Sequence, residues 1–328
     1  MAAPFSQGLY KGSDVQLAGL IILTVLLLLP TLLPEKTAWL TSLVPLPLFY
    51  YHVSLGRNKG LILIRNAIIL AAAGALLFGS LPILLFPLTL VPPGIAFANG
   101  VFNRRSPVAA GFTGFLVLAL TWLLYWSGVA FVHQTNPYAA LLVELDKGLS
   151  NGLLLYEESA GLAPETLESV RRAVKLLRIY IPQILPALLI SGLLSTVWLN
   201  LALGNWLLKK KDRDLTHWPD YSEWKLPDPF VWLVVLSGAI FLLLPQPLSM
   251  IGLNGLIVCS TVYFFQGLAI AASLLNRWSV PRLIRVLIYA LIFIQTYGII
   301  VLSFLGLADV WADFRKLNQA GDNQNSTA

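Results

Sequence analysis

The sequence predicts an all-α fold, a polytopic bundle of transmembrane helices. Hydrophobic residues make up 57% of the 328 residues and charged residues only 12%, whereas soluble domains have about 25% charged residues. The mean hydropathy is +0.75. The apolar residues also occur in continuous runs and not in alternation, which favours helical spans over a transmembrane β-barrel.

The number of spans follows from the number of long apolar runs. A helix needs about 20 apolar residues to cross ~30 Å of hydrocarbon. Nine runs meet this length, at 14–33, 37–56, 61–81, 82–102, 107–132, 180–208, 230–249, 252–275 and 282–306. Only Gly79, Ser80 and Pro82 separate the third run from the fourth, so we predict eight or nine spans.

The polar segments divide the chain into four parts. We expect an N-terminal region of five spans at 1–132, an outer segment at 133–179, a C-terminal region of four spans at 180–317 and a disordered tail at 318–328. In the outer segment, proline at a helix start and apolar residues at helical spacing predict an amphipathic helical hairpin. This hairpin is either a passive cap or a lid over a cavity.

The basic residues predict the orientation, because cytoplasmic loops are enriched in lysine and arginine. With the N-terminus inside, fourteen basic residues lie inside and eight outside. Nine spans then place the C-terminus outside. The net charge of +6 indicates contact with the lipid bilayer and not with nucleic acid, because the basic residues flank the apolar runs.

Catalytic and cofactor-binding motifs are absent from the sequence. It has no H-E-x-x-H, G-x-S-x-G or Walker A pattern, and His52, His133 and His217 are widely separated. The single cysteine, Cys259, cannot form a disulfide framework or a thiol metal site. We therefore expect no enzyme activity, no metal and no cofactor. Transport driven by ATP would need an ATPase partner subunit.

Prolines interrupt several predicted spans, most densely in LVPPGIAFANG at 90–100. Proline removes a backbone donor, and transporters often bind small molecules where their helices are broken. Uncharged polar residues inside the spans supply further hydrogen-bonding groups. The predicted ligand-binding residues are Pro92, Pro93, Asn99, Gln183, Asn200 and Gln266.

These features predict a protein that binds or transports a small molecule or a lipid headgroup through a cavity between proline-broken helices. The alternative function is a scaffold that organises envelope or division partners and transports nothing. A scaffold would use the outer hairpin and the aromatic loop 209–229 as contact surfaces. In that loop, Trp218, Tyr221 and Trp224 are expected to anchor at the membrane interface.

Two acids follow the last apolar run, in LGLADVWADFRKL at 305–317. Asp309 and Asp313 are one helical turn apart, where like charges repel. An unpaired carboxylate close to the membrane is also costly. We predict a structural ion pair between one of these acids and a base of the outer helix, such as Arg171 or Arg172. The alternative is a helix end whose charges lie in water.

The C-terminal half resembles the YybS-like bacterial membrane proteins, a family of unknown function. The similar segments are ILPALLISGLLSTVWLN, YFFQGLAIAASLLNRW and GLADVWADFRK. The recurring residues that the resemblance implies are Gln266, Gly267, Leu268, Gly306, Asp309, Asp313, Phe314 and Arg315. It implies a bacterial inner-membrane protein without naming a reaction. The N-terminal region is similar, at the level of fold only, to the substrate-binding subunits of energy-coupling-factor transporters and to the rod-shape protein MreD.

Overall fold

The computed structural model describes residues 7–158 and 164–315, and this part of the chain contains helices and no strands. The α-helices are α1 (Gln7–Leu32), α2 (Pro34–Thr37), α3 (Pro45–Leu55), α4 (Arg57–Leu77), α5 (Leu81–Leu88), α6 (Val91–Phe102), α7 (Pro107–His133), α8 (Pro137–Glu158), α9 (Pro164–Lys211), α10 (Val231–Leu243), α11 (Leu248–Arg277), α12 (Arg282–Ile294) and α13 (Thr296–Ala312). Short 3₁₀-helices lie at Ala38–Leu43, Arg213–Leu215, Tyr221–Glu223 and Asp228–Phe230. The all-α prediction is confirmed. The predicted tail, 318–328, lies outside the described residues.

Six helices of the described ranges are long and apolar enough to cross a membrane. They are Asp14–Leu32, Arg57–Leu77, Leu81–Phe102, Pro107–His133, Pro164–Lys211 and Leu248–Arg277. A seventh span exists if α12 and α13, which are bent by 102° relative to each other, are taken as one. Six or seven candidate spans are fewer than the eight or nine predicted.

Prolines explain two of the missing spans. In the run 37–56, a 3₁₀-helix ends before Pro45, and α3 then has only 11 residues, or about 16 Å of helix. In the run 230–249, α10 has 13 residues and ends ahead of Pro245 and Pro247, which cannot donate backbone hydrogen bonds. Neither helix has the ~20 residues needed to cross the hydrocarbon layer.

The chain forms two compact units. The larger contains Met1–Tyr125, Leu193–Leu226 and Tyr263–Ala328, and the smaller contains Trp126–Gly192 and Pro227–Val262. In the larger unit α1 packs mainly on α4 and α3 mainly on α6. The predicted linear boundaries at 132 and 179 stay a prediction, although α9 continues through 179 without a break.

In the smaller unit, α8 packs antiparallel to the first part of α9. Arg171 lies 2.9 Å from Glu157, and Arg178 lies 2.7 Å from Asp146, so the contacts run in opposite sequence order along the two helices. All four side chains are partly exposed, and each such pair contributes at most about 1 kcal/mol.

In the larger unit, α13 packs closely on α11 through two glycines. A Cβ atom on Gly306 would lie 2.0 Å from the carbonyl oxygen of Tyr263, and one on Gly267 would lie 2.0 Å from that of Leu302. Such distances are far inside van der Waals contact. Only glycine permits this approach of the two backbones, as at many interfaces between membrane helices.

We expect Gly306→Ala to lower the free energy of unfolding by about 1–3 kcal/mol, because α13 must move away from α11. The matched control is Gly128→Ala in α7, where an added Cβ meets nothing within 4 Å. The control should be neutral or stabilising, by up to ~1 kcal/mol. Denaturant or thermal unfolding of the purified protein in detergent measures both. Equal destabilisation by the two variants would contradict the close approach.

Candidate functional site

Asp309 and Arg315 form a buried ion pair at the end of α13. Arg315 Nη2 lies 2.8 Å from Asp309 Oδ2, and both side chains are only 1% exposed. Asp313 ends the helix with a φ of 40°, in the left-handed region that aspartate visits more readily than most residues. The chain reverses there, so that the Phe314 N–H donates to Asp309 Oδ1 at 3.0 Å and Arg315 returns to the same carboxylate.

Gln266 of α11 binds the same carboxylate oxygen as Arg315. Its side chain is fully buried and donates through Nε2 to Asp309 Oδ2 at 3.2 Å. Its Oε1 accepts a hydrogen bond from the Leu226 N–H at 3.2 Å. One amide side chain therefore joins α13 to the segment that precedes α10.

The guanidinium of Arg315 holds the same loop by its backbone. Nη1 donates to the carbonyl oxygens of Ser222 at 3.2 Å and Trp224 at 2.8 Å. Both carboxylate oxygens of Asp309 accept hydrogen bonds from the protein. The ion pair therefore connects α13 to α11 and to the loop, and the carboxylate has no oxygen left for acid–base chemistry. We call this set the C-terminal clamp: Ser222, Trp224, Leu226, Gln266, Asp309 and Arg315.

The aromatic residues of the loop pack inside the larger unit. The Tyr221 hydroxyl donates to the Phe265 carbonyl at 2.6 Å and accepts from Trp198 Nε1 at 3.1 Å. Shielding from water raises the pKa of the Tyr221 phenol well above its usual range, so the phenol stays a hydrogen-bond donor. Trp218 is 2% exposed and stacks on Phe49. The expected anchoring of Trp218 at the membrane interface is therefore wrong.

Asp309 finds its partner within its own segment. It pairs with Arg315, whereas the ion pairs of Arg171 lie within the α8–α9 pair. The turn at the end of α13 brings Arg315 back over a very short loop, which closes at a small entropic cost. The predicted pairing of Asp313 with a base of the outer helix, such as Arg171 or Arg172, stays a prediction.

The clamp also corrects the predicted topology. Nine spans place the end of α13 outside and the loop 209–229 inside. Arg315 Nη1 nevertheless lies 2.8 Å from the Trp224 carbonyl oxygen. The two segments therefore cannot belong to opposite sides of a membrane.

A second polar feature of the larger unit is an open cavity of about 390 Å³ where α4 begins, α6 ends and α7 begins. No acidic residue lines it within the described part of the chain. Its polar lining residues are Arg57, Asn99, Asn103, Arg105 and Thr113.

The tight turn between α6 and α7 brings Arg105 to the cavity. Arg104 has a left-handed backbone, with a φ of 52°. The N–H groups of Arg105 and Arg104 donate to the carbonyl oxygens of Gly100 at 2.9 Å and Val101 at 3.0 Å, respectively, a pattern that ends many helices. The Ser106 side chain then caps α7.

Each cavity arginine is oriented by a neighbouring side chain. Arg57 Nη2 donates to Asn103 Oδ1 at 3.2 Å, and its guanidinium carbon lies 5.3 Å from the centre of the Phe102 ring. Arg105 Nη1 donates to Thr113 Oγ1 at 3.3 Å. Across residues 7–158 and 164–315, neither arginine forms an ion pair with an acid. Because a guanidinium has five N–H donors, most of them remain for another acceptor.

Of the predicted ligand-binding residues, Asn99 lines this cavity, and Pro92 and Pro93 lie in the first turn of the same helix. The break in the helix falls just before α6, and the prolines begin α6, where a missing N–H costs little. Thr121 Oγ1 donates to the Thr89 carbonyl at 3.0 Å and so satisfies a backbone group at the break.

The other predicted ligand-binding residues form internal hydrogen bonds. Gln266 belongs to the clamp, and Asn200, fully buried, donates to the Ser42 carbonyl at 2.7 Å. In the smaller unit, the Gln183 carbonyl accepts a hydrogen bond from Asn254 Nδ2 at 2.8 Å. Ligand binding by these residues stays a prediction.

Asn254 supports α9 beside its prolines. Besides bonding the Gln183 carbonyl, it accepts the Ala187 N–H at 2.8 Å. These are the two groups that a regular α-helix joins to each other, and Pro186 lies between them. The amide therefore stabilises the helix where proline weakens it.

A model of the family described as predicted membrane protein DUF2232 matches residues 21–310. The chain belongs to this family. The match confirms the resemblance to the YybS-like proteins and shows a multi-pass membrane protein. No curated protein and no solved structure matches the chain significantly. The likeness to energy-coupling-factor subunits and to MreD stays a prediction.

Several of the recurring residues that the resemblance to the YybS-like proteins implies lie close together in this structure. Gln266, Asp309 and Arg315 form the clamp, and Gly267 and Gly306 permit the close packing beside it. In this DUF2232 protein, these sequence segments therefore hold the C-terminal helix and the loop in place.

The arginines of the cavity are absent from the sequence-based prediction of the site. Arg57 and Arg105 enter the sequence analysis only as basic residues that indicate topology. The available signal was two arginines at the ends of separate apolar runs, each without an acid nearby in the sequence.

We expect Asp309→Leu to lower the free energy of unfolding by about 3–5 kcal/mol, because it leaves the Arg315 guanidinium buried without a counter-charge. Arg171→Leu removes a partly exposed ion pair and should cost less than about 1 kcal/mol. Unfolding measured in one detergent compares the two. A second leucine at Arg315 should restore part of the loss. Equal effects of Asp309→Leu and Arg171→Leu would refute the clamp.

Proposed function

We propose that this membrane protein binds a small molecule or a lipid headgroup in the cavity formed by α4, α6 and α7. The observation that supports the proposal is a cavity of about 390 Å³ lined by amide, hydroxyl and guanidinium groups. Small-molecule sites generally have volumes of ~300–1,000 Å³ and a few convergent polar groups.

The packing around the cavity supports a formed site and not a gap between loosely packed helices. A Cβ atom on Gly100 would lie 2.5 Å from the Ala110 Cβ, so α6 and α7 touch where both line the cavity. Deeper along the same pair, a Cβ on Gly114 would lie 2.0 Å from the Phe97 ring. These close contacts between α6 and α7 hold the walls of the cavity in place.

We also propose the bacterial inner membrane as its location, on the resemblance to the YybS-like proteins. The predicted cytoplasmic N-terminus rests on a count of basic residues over nine spans and stays a prediction. A transport role would need an energy source. Because the sequence has no nucleotide-binding motif, an ATPase partner subunit is the kind of partner that such a role requires.

We expect that a screen of metabolites and lipids against the purified protein will find a ligand that raises the Tm. At ~100 times Kd such a ligand stabilises the protein by about 2.7 kcal/mol. Asn99→Leu should abolish the rise, because it removes the amide from the cavity. Asn151→Leu replaces an exposed amide on α8 and should leave the rise unchanged.

The same screen distinguishes ligand binding from a scaffold role. If no compound raises the Tm, or if the rise survives Asn99→Leu in full, ligand binding in this cavity is refuted. A scaffold for envelope or division partners would then be the better hypothesis.

A further inference from the structure

We infer that the ligand of this cavity contains an oxyanion, a phosphate or a chemically similar group, which Arg57 and Arg105 bind. The inference rests on the proposed function and narrows its ligand to one chemical class.

The charge of the cavity is the first argument. Its lining contains two guanidinium groups and no acid, and its other polar groups are the amides of Asn99 and Asn103 and the hydroxyl of Thr113. Arginine stays charged at every physiological pH. Two cations that share a cavity repel each other, and an anion between them removes the repulsion.

The geometry of arginine is the second argument. The planar guanidinium presents parallel N–H donors that match the oxygens of phosphate or carboxylate. The described hydrogen bonds use one N–H group of Arg57 and one of Arg105. Both side chains therefore keep donors for an oxyanion.

The backbone of Arg105 is also held in position before a ligand arrives, and its exposed side chain has one hydrogen-bond partner among the described residues. Its carbonyl oxygen accepts a hydrogen bond from Trp218 Nε1 at 2.8 Å and forms a second one with His217 Nε2 at 3.1 Å. The Thr113 hydroxyl holds its guanidinium. A side chain that is already oriented loses less conformational entropy when it binds a ligand.

The positions of the two arginines at the ends of the candidate spans favour the phosphate of a lipid headgroup or of a soluble phosphate ester. Arg57 is the first residue of the span Arg57–Leu77, and Arg105 lies between the spans Leu81–Phe102 and Pro107–His133. The ends of transmembrane helices lie at the level of the lipid headgroups. A phosphate at this level comes either from a lipid or from a soluble phosphate ester.

The test uses the full-length protein in dodecyl maltoside, a detergent without phosphate, and two matched pairs of probes. Glycerol 3-phosphate is compared with glycerol, and phosphatidic acid with diacylglycerol. The protein variants are Arg57→Gln, Arg105→Gln and Asn99→Leu. Arg104→Gln is the control, because it makes the same charge change in the same turn at a residue outside the cavity lining.

We expect only the phosphate-containing probe of a pair to raise the Tm. Arg57→Gln and Arg105→Gln should each weaken its Kd by about 10- to 100-fold, the effect of losing a hydrogen bond to a charged group. Arg104→Gln should leave the Kd nearly unchanged. Binding of glycerol 3-phosphate identifies a soluble phosphate ester as a sufficient ligand, and binding of phosphatidic acid alone identifies a lipid headgroup.

The inference would be overturned by no binding of either phosphate probe, by equal binding of the neutral probes, or by an equal loss of affinity in Arg104→Gln. An uncharged ligand whose binding requires Asn99 and neither arginine would also overturn it, while the proposed function would stand. If no compound binds in a way that depends on Asn99, the proposed function itself is refuted.

Discussion

A buried carboxylate and guanidinium are tolerated only when they contact each other and when their remaining hydrogen-bonding groups have partners. Asp309 and Arg315 meet most of this requirement with groups from three segments: the turn after α13, Gln266 of α11, and the backbone of the loop at Ser222 and Trp224. The one polar atom of the pair without a partner among the described residues is Arg315 Nε. The need to satisfy this pair therefore sets the position of the loop.

The same loop also reaches the cavity. Downstream it is held by Arg315, and upstream Trp218 Nε1 donates to the carbonyl oxygen of Arg105. Lys209 and Asp220, 2.6 Å apart, tie it to the end of α9 between these points. The C-terminal clamp and the arginine that we propose as a ligand-binding residue are therefore connected by one short, well-bonded segment of the larger unit.

The prolines of the apolar runs have a structural explanation that does not require a ligand at each of them. Backbone groups freed by proline need partners in apolar surroundings. Thr121 supplies one at Thr89, Asn254 supports α9 beside Pro186, and the Tyr138 hydroxyl donates to the Pro182 carbonyl at 3.1 Å. Proline content by itself therefore indicates where helices are weakened. Of the three sites, only the break before α6 adjoins a helix that lines the cavity.

The sequence by itself determined the class of the protein. Its long apolar runs and scarcity of charge require helices in lipid, because a helix satisfies its own backbone groups. The segments around Gln266 and Asp309 were sufficient to indicate the family. Local pattern also predicted that a helix of the outer segment begins at a proline, as α9 does at Pro164, and that a helix breaks near Pro92.

The tertiary structure decided what the polar residues do. Asn99 was predicted to line a cavity, and it does. Asn200 and Gln266 also carry amide side chains, but these form hydrogen bonds with neighbouring backbone and side-chain groups. Arg57 and Arg105 are 48 residues apart in the sequence, and only packing brings them to one cavity. Hydropathy reports how much a residue favours lipid or water, but whether a buried polar group meets a partner or an open space depends on residues distant in the chain, which no local pattern specifies.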